Sequence, residues 1–115
     1  MNLYNWNLLE QEQLNPRVGR KCIHASQMTV ARLSLQKSAF VPEHSHVNEQ
    51  VTMVEQGALK FLLSGREQIV RAGEVLVIPP DLPHSAEALE DTTAVDVFSP
   101  PRADWIRGDD AYLRR

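Results

Sequence analysis

The feature that most constrains the fold is a rhythm. From Arg17 onward, short apolar or β-branched runs recur about every ten residues, each closed by turn residues, and none carries a helical period. In residues 28–36, Thr29, Ala31, Leu33 and Leu35 fall on one face and Arg32, Ser34 and Gln36 on the other. Ser64-Gly65 separates Phe61-Leu62-Leu63 from Arg66-Glu67-Gln68-Ile69-Val70 as a two-residue hairpin in which the glycine supplies a positive φ. Ala72-Gly73 turns the chain before a strand at 75–78, and strands at 84–89 and 93–98 flank an acidic turn at Glu90-Asp91. Many short strands with no long helix predict an all-β, single-domain jelly-roll β-barrel with short terminal helical turns. Such a barrel has an interior large enough for a small ligand. At 115 residues the chain can bury one core and is too short for two.

The expected division is an N-terminal arm at 1–16, a barrel at 17–99 and a capping segment at 100–115. The arm holds more apolar side chains (Leu3, Tyr4, Trp6, Leu8, Leu9, Leu14) than a solvated tail, in a spacing that fits neither helix nor strand. It is read as an arm with one helical turn lying across the barrel or a partner subunit, or as a packed N-terminal strand. Pro100-Pro101 stiffens the exit from the last strand, after which Trp105, Ile106, Tyr112 and Leu113 suggest short helical turns covering one end.

A net charge of −3 with scattered basic residues gives no electrostatic reason to expect nucleic acid. The one cysteine, Cys22, excludes an internal disulfide and reads as a packing residue. No basic leader opens the sequence and no run approaches the ~20 apolar residues that span a bilayer, so no membrane association and a cytoplasmic location are expected.

Chemistry concentrates in residues 42–57. Read as one strand, it places His44, His46 and Gln50 on one face and Glu49 on the other, with a third imidazole, His84, following the strand at 75–78. Imidazole suits zinc, copper, iron and nickel, and an oxygen ligand extends the range toward manganese. A His-x-His pair alone is a weak signal, since histidines often only satisfy hydrogen bonds. The surrounding residues add to it. The arrangement resembles the cupin family, whose motifs read G-x5-H-x-H-x3,4-E-x6-G and G-x5-P-x-G-x2-H-x3-N. His44, His46 and Gly57 fall on the first, and Gly73, Pro79 and His84 on the second. Ser38, Asp81 and Ala88 replace motif glycines and the asparagine, and Gln50 replaces the acidic ligand, leaving a metal its full charge toward a substrate.

Asp96 lies among Ala94, Val95, Val97 and Phe98, on the same side of its strand as Phe98. Facing inward it would be a carboxylate with a raised pKa, fit to give and take a proton; facing outward it would cap a turn or pair with an arginine. Arg102 follows a rigid Ser99-Pro100-Pro101 and is either a fork for an acidic ligand or a solvated surface residue. Together, Val41-Pro42-Glu43-His44-Ser45-His46, Glu49-Gln50, Val77-Ile78-Pro79-Pro80, Pro83-His84-Ser85 and the run from Asp96 to Arg102 resemble one cupin subgroup, the KdgF-type pectin degradation proteins, over roughly residues 17 to 105. The resemblance implies conversion of cyclic 4,5-unsaturated uronates from pectin or alginate to the linear keto form. It also implies one divalent transition metal ion (zinc, nickel, manganese or iron) on His44, His46, Gln50 and His84, and a substrate and catalytic group of Asp96, Phe98 and Arg102. The partners it implies are a small acidic sugar and a second copy of the chain in a homodimer. A cupin dioxygenase, another sugar isomerase and a non-catalytic sugar-binding or sensor module remain alternatives. His24 lies outside both motifs and is read as structural, and Glu43 and Glu49 are off the parity of the ligands.

Overall fold

The computed structural model describes residues 1–115. Ten strands carry the fold: β1 (Glu12–Asn15), β2 (Val18–His24), β3 (Thr29–Leu35), β4 (Phe40–His44), β5 (Glu49–Gln56), β6 (Ala58–Leu63), β7 (Arg66–Arg71), β8 (Val75–Ile78), β9 (His84–Ala88) and β10 (Thr92–Ser99). They form two antiparallel sheets, one in the order β1-β2-β3-β10-β5-β8 and one in the order β4-β9-β6-β7. This is the jelly roll the strand rhythm predicts. The β6–β7 hairpin turns at Ser64 and Gly65, with φ of 47° and 85°, the double positive φ that matches the twist of the flanking strands.

Alternation sorts the side chains. In β10 Thr92, Ala94, Asp96 and Phe98 are buried, and in β5 Gln50, Thr52 and Val54. The two inner faces close on Ala31, Leu35, Val54, Leu59, Phe61 and Ile78, each fully buried large side chain contributing about 1.5–3 kcal/mol. Register then places the polar inward residues: Asp96 sits opposite Thr52 on β5 and Ala31 on β3, and Phe98 opposite Gln50 and Thr29.

Three details differ from a plain reading of the sequence. Residues 42–57 are not one strand, because β4 ends at His44, β5 begins at Glu49, and residues 45–48 carry the chain from the four-stranded to the six-stranded sheet. The N-terminal segment holds both elements weighed for it: a 3-10 turn at Trp6–Leu8, whose first turn is capped by the Asn5 side chain, and the edge strand β1 paired with β2. Only Leu14 of that segment enters the core, while Leu3 and Leu8 are 98% and 83% exposed. Finally, Ser38 and Asp81, which replace motif glycines, keep the left-handed backbone with φ of 77° and 65°.

Beyond β10, α1 (Ala103–Ile106) and a 3-10 turn at Ala111–Arg114 close one end of the barrel with Trp105 and Leu113 buried. Asp110 holds this segment down by accepting from Arg20 (2.8 Å) and Arg114 (3.0 Å), and the Asn15 side-chain amide donates to the Leu113 carbonyl (3.0 Å). No helix is long and apolar enough to cross a membrane.

Candidate metal centre

His44 ends β4 directly opposite His84, which opens β9. His46 lies on the corner between the sheets, and Gln50 is the first inward residue of β5. One ring nitrogen from each histidine lies within 4.8 Å of the others. The sheet-switching corner, rather than parity along one strand, brings His46 to the group.

The hydrogen bonds prepare these rings for a cation. Each Nδ1 sits against a backbone carbonyl: His44 on Pro42 (2.8 Å), His46 on Asn48 (3.1 Å) and His84 on Leu82 (2.7 Å). A neutral imidazole that donates through Nδ1 presents a bare lone pair at Nε2. His84 Nε2 is buried with no hydrogen-bond partner. His46 Nε2 faces Gln50 Oε1 at 3.1 Å, while the Gln50 amide nitrogen is committed to Thr52 Oγ1 (2.9 Å). Two acceptors facing each other and an orphaned buried nitrogen are left unsatisfied within the chain, and a cation would satisfy all three. Burial pushes His44 and His46 down to about 4, helped by the Arg102 charge and the neighbouring imidazoles, so the rings stay in the neutral form that ligates. Three imidazoles and one amide oxygen fit a divalent transition metal.

Beside this cluster a partly open cavity runs into the barrel over an apolar floor that includes Leu33, Leu59 and Phe61. Asp96 is the one carboxylate on its lining. It faces inward, 6% exposed, and accepts from Thr52 Oγ1 (2.6 Å). Burial pushes this carboxyl up to about 6, against the Thr52 hydroxyl, the Arg102 charge and Gln50, which favour its ionised form. His46, Gln50, Thr52 and Asp96 therefore form one continuous polar chain along the inner wall.

Arg102 is not the solvated surface residue that was one of its two readings in sequence. It is 1% exposed, stacked between Phe98 (4.6 Å to the ring centre) and Trp105 (4.1 Å). Its Nε and Nη2 grip both oxygens of Asp104 (3.0 and 2.8 Å), and Nη2 also donates to the Tyr112 hydroxyl (2.7 Å). The fork is already filled, leaving Nη1 as the nitrogen without a partner in the chain. Phe98 is buried edge-on to His46 (5.6 Å) and Trp105 (5.0 Å), so its ring braces both the imidazole and the guanidinium.

Sequence reading missed two contributors and gave two others only a covering role. Thr52 shares the parity of Gln50 and was accessible by that signal. Asn48 donates to the carbonyls of Pro100 and Pro101, tying the corner to the chain before Arg102, which no local pattern announces. Trp105 and Tyr112 line the cavity, and the Tyr112 ring lies 4.5 Å from His44. His24 stands apart, hydrogen-bonded to Thr29, and Glu43 and Glu49 are exposed. Cys22 is half-buried and its thiol is pushed up to about 11 by burial, the behaviour of a packing residue.

Among curated proteins none matches the chain. Among solved structures it is similar to KdgF from Halomonas sp., with 27% identity over 91% of this chain and 98% of that one and a TM-score of 0.85. An RmlC-like cupin from Shewanella frigidimarina gives the same TM-score of 0.85 at 23% identity, covering 91% and 96% of the two chains. Oxalate decarboxylase from Lactobacillus farciminis gives 0.76 at 18% identity, covering 92% of this chain and 38% of the other, a likeness of fold. The cupin domain family model matches residues 31–99, which span both histidine segments. The chain belongs to the cupin domain family.

Proposed function

We propose that this cupin converts a cyclic 4,5-unsaturated uronate into its linear keto form, with one divalent transition metal ion held by His44, His46, Gln50 and His84. The observation that carries the reading is Asp96: a buried carboxyl, raised to about 6 and held by Thr52, in the same cavity as the imidazole cluster. The similarity to KdgF from Halomonas sp. supports the resemblance to the KdgF-type subgroup, which is what implies this substrate class.

The reaction moves one proton. The anomeric O1–H and the C1–O5 bond break, C1 becomes an aldehyde, and the electrons released through the C4–C5 alkene leave a 5-keto group once C4 is protonated. A bound metal ion would supply Lewis-acid polarisation of substrate oxygen. Asp96 accepts the O1 proton and returns it to C4, a double duty suited to a carboxyl poised near the working pH. Arg102, fixed by Asp104 and its two aromatic neighbours, keeps the cavity positive toward the substrate carboxylate, while Phe98 braces it. The same reading takes the chain as a homodimer in which the exposed Leu3 and Leu8 of the N-terminal arm are covered. Analytical ultracentrifugation showing a monomer at micromolar concentration would remove that part.

The test is ultraviolet absorbance of unsaturated galacturonate freshly released by a pectate lyase. The metal-loaded protein should speed loss of the alkene chromophore well beyond buffer. Asp96→Asn should slow it by at least about 100-fold, the usual worth of a general acid–base group, with metal content unchanged. Full turnover in that variant would take Asp96 out of the mechanism, and no acceleration by the wild type would sink the reaction itself.

A further inference from the structure

We propose that Tyr112 is a substrate-binding residue, its hydroxyl donating to the carboxylate of the acidic sugar, so that the C-terminal segment is a wall of the site as well as a cap. The ligand class rests on the proposed function; the role of the hydroxyl rests on its surroundings.

Tyr112 Oη accepts from Arg102 Nη2 (2.7 Å) and from Trp105 Nε1 (3.2 Å). Both lone pairs are thus used, and no group of the chain takes the phenolic proton. The hydroxyl is left as a donor only, on a residue that lines the cavity. Arg102 has five N–H bonds, of which Nε and Nη2 spend three on Asp104 and Tyr112, leaving the two on Nη1. Nη1 and the Tyr112 proton therefore remain as adjacent unspent donors. Together they match the two oxygens of a carboxylate, which neither matches alone.

The segment is also tied to the barrel by several polar contacts. Asp110 is 3% exposed between Arg20 and Arg114, Leu113 is in the core, and Asn15 donates to the carbonyls of Leu113 and Arg115 (3.0 and 3.2 Å). These ties fix the position of Tyr112, the one polar side chain of this turn that lines the cavity.

The experiment is a titration of metal-loaded full-length protein with galacturonate and with its methyl ester, in wild type and in Tyr112→Phe. Phenylalanine keeps the ring against His44 and removes only the hydroxyl, so metal content should not change. The wild type should prefer the acid to the ester, and Tyr112→Phe should reduce that preference about tenfold, equivalent to about 1.4 kcal/mol. A merely structural role would weaken both ligands alike and leave the ratio unchanged, which would overturn the proposal, as would a wild type that does not prefer the acid. Reading the same ratio in Tyr112→Leu guards against a Phe variant that fails to fold. A Tyr112-dependent preference in a protein that leaves unsaturated galacturonate untouched would sink the reaction while keeping this site.

Discussion

Burial holds the Asp96 carboxyl near 6, above its usual range, so ionising it at neutral pH costs the native state stability. The folded-state pKa lies above the unfolded one. Its contribution is therefore fully favourable below the unfolded value near 4 and is lost as pH rises through about 6. Asparagine cannot ionise and can still accept from Thr52. In metal-stripped protein, Asp96→Asn should be more stable than wild type at pH 8 by on the order of 1–3 kcal/mol, the advantage shrinking toward pH 4. Urea denaturation at the two pH values reads this directly; an equal difference at both would mean the carboxyl is not held above its usual range. The sequence showed which side chains are candidates for chemistry, because imidazole and carboxyl residues stand out in an apolar strand. Their settings were less legible. Whether Arg102 was free or filled depended on Asp104 and on Tyr112, ten residues further along the chain.

Turns carry the element scale. Gly57 has φ of 90°, and a Cβ there would meet the Asp91 carbonyl oxygen and Thr92 Oγ1 at 2.4 Å each. Gly73 has φ of 86° with nothing within 4 Å. Both glycines belong to the motifs, yet Gly57→Ala should cost more than about 2 kcal/mol while Gly73→Ala costs about 1, the left-handed strain alone. Conversely, Ser38→Gly and Asp81→Gly relieve that strain against a larger unfolded-state entropy, and should be neutral or stabilising by up to about 1 kcal/mol. Chemical denaturation of the four variants tests the ranking; equal costs at Gly57 and Gly73 would contradict it. Strand rhythm made most elements readable, including the Ser64-Gly65 hairpin. Two were hidden: β1 sends one large apolar residue, Leu14, inward, too little to show a period, and the corner at residues 45–48 preserves the inward direction of His46 while the chain changes sheets.

For the whole molecule, closure of two sheets makes a site from segments forty residues apart. His44 and His84 meet because β4 pairs with β9, Gln50 and Asp96 because β5 lies beside β10, and the C-terminal segment supplies the remaining wall. The jelly roll and the candidate ligand residues were legible because spacing survives in the sequence. The contribution of Tyr112 was not, since it depends on how the last residues return over the barrel, latched by Arg20 and Asp110. Such a closure gathers three imidazoles and an amide oxygen as a donor set for one ion. The most direct test of that set is a titration of metal-stripped protein with nickel or zinc, followed by elemental analysis, for wild type and for His84→Ala checked by circular dichroism to be folded. One ion per chain is expected in the wild type, with at least a tenfold loss of affinity in His84→Ala. A folded wild type that takes up no divalent ion, or a variant that binds as tightly as wild type, would contradict this expectation.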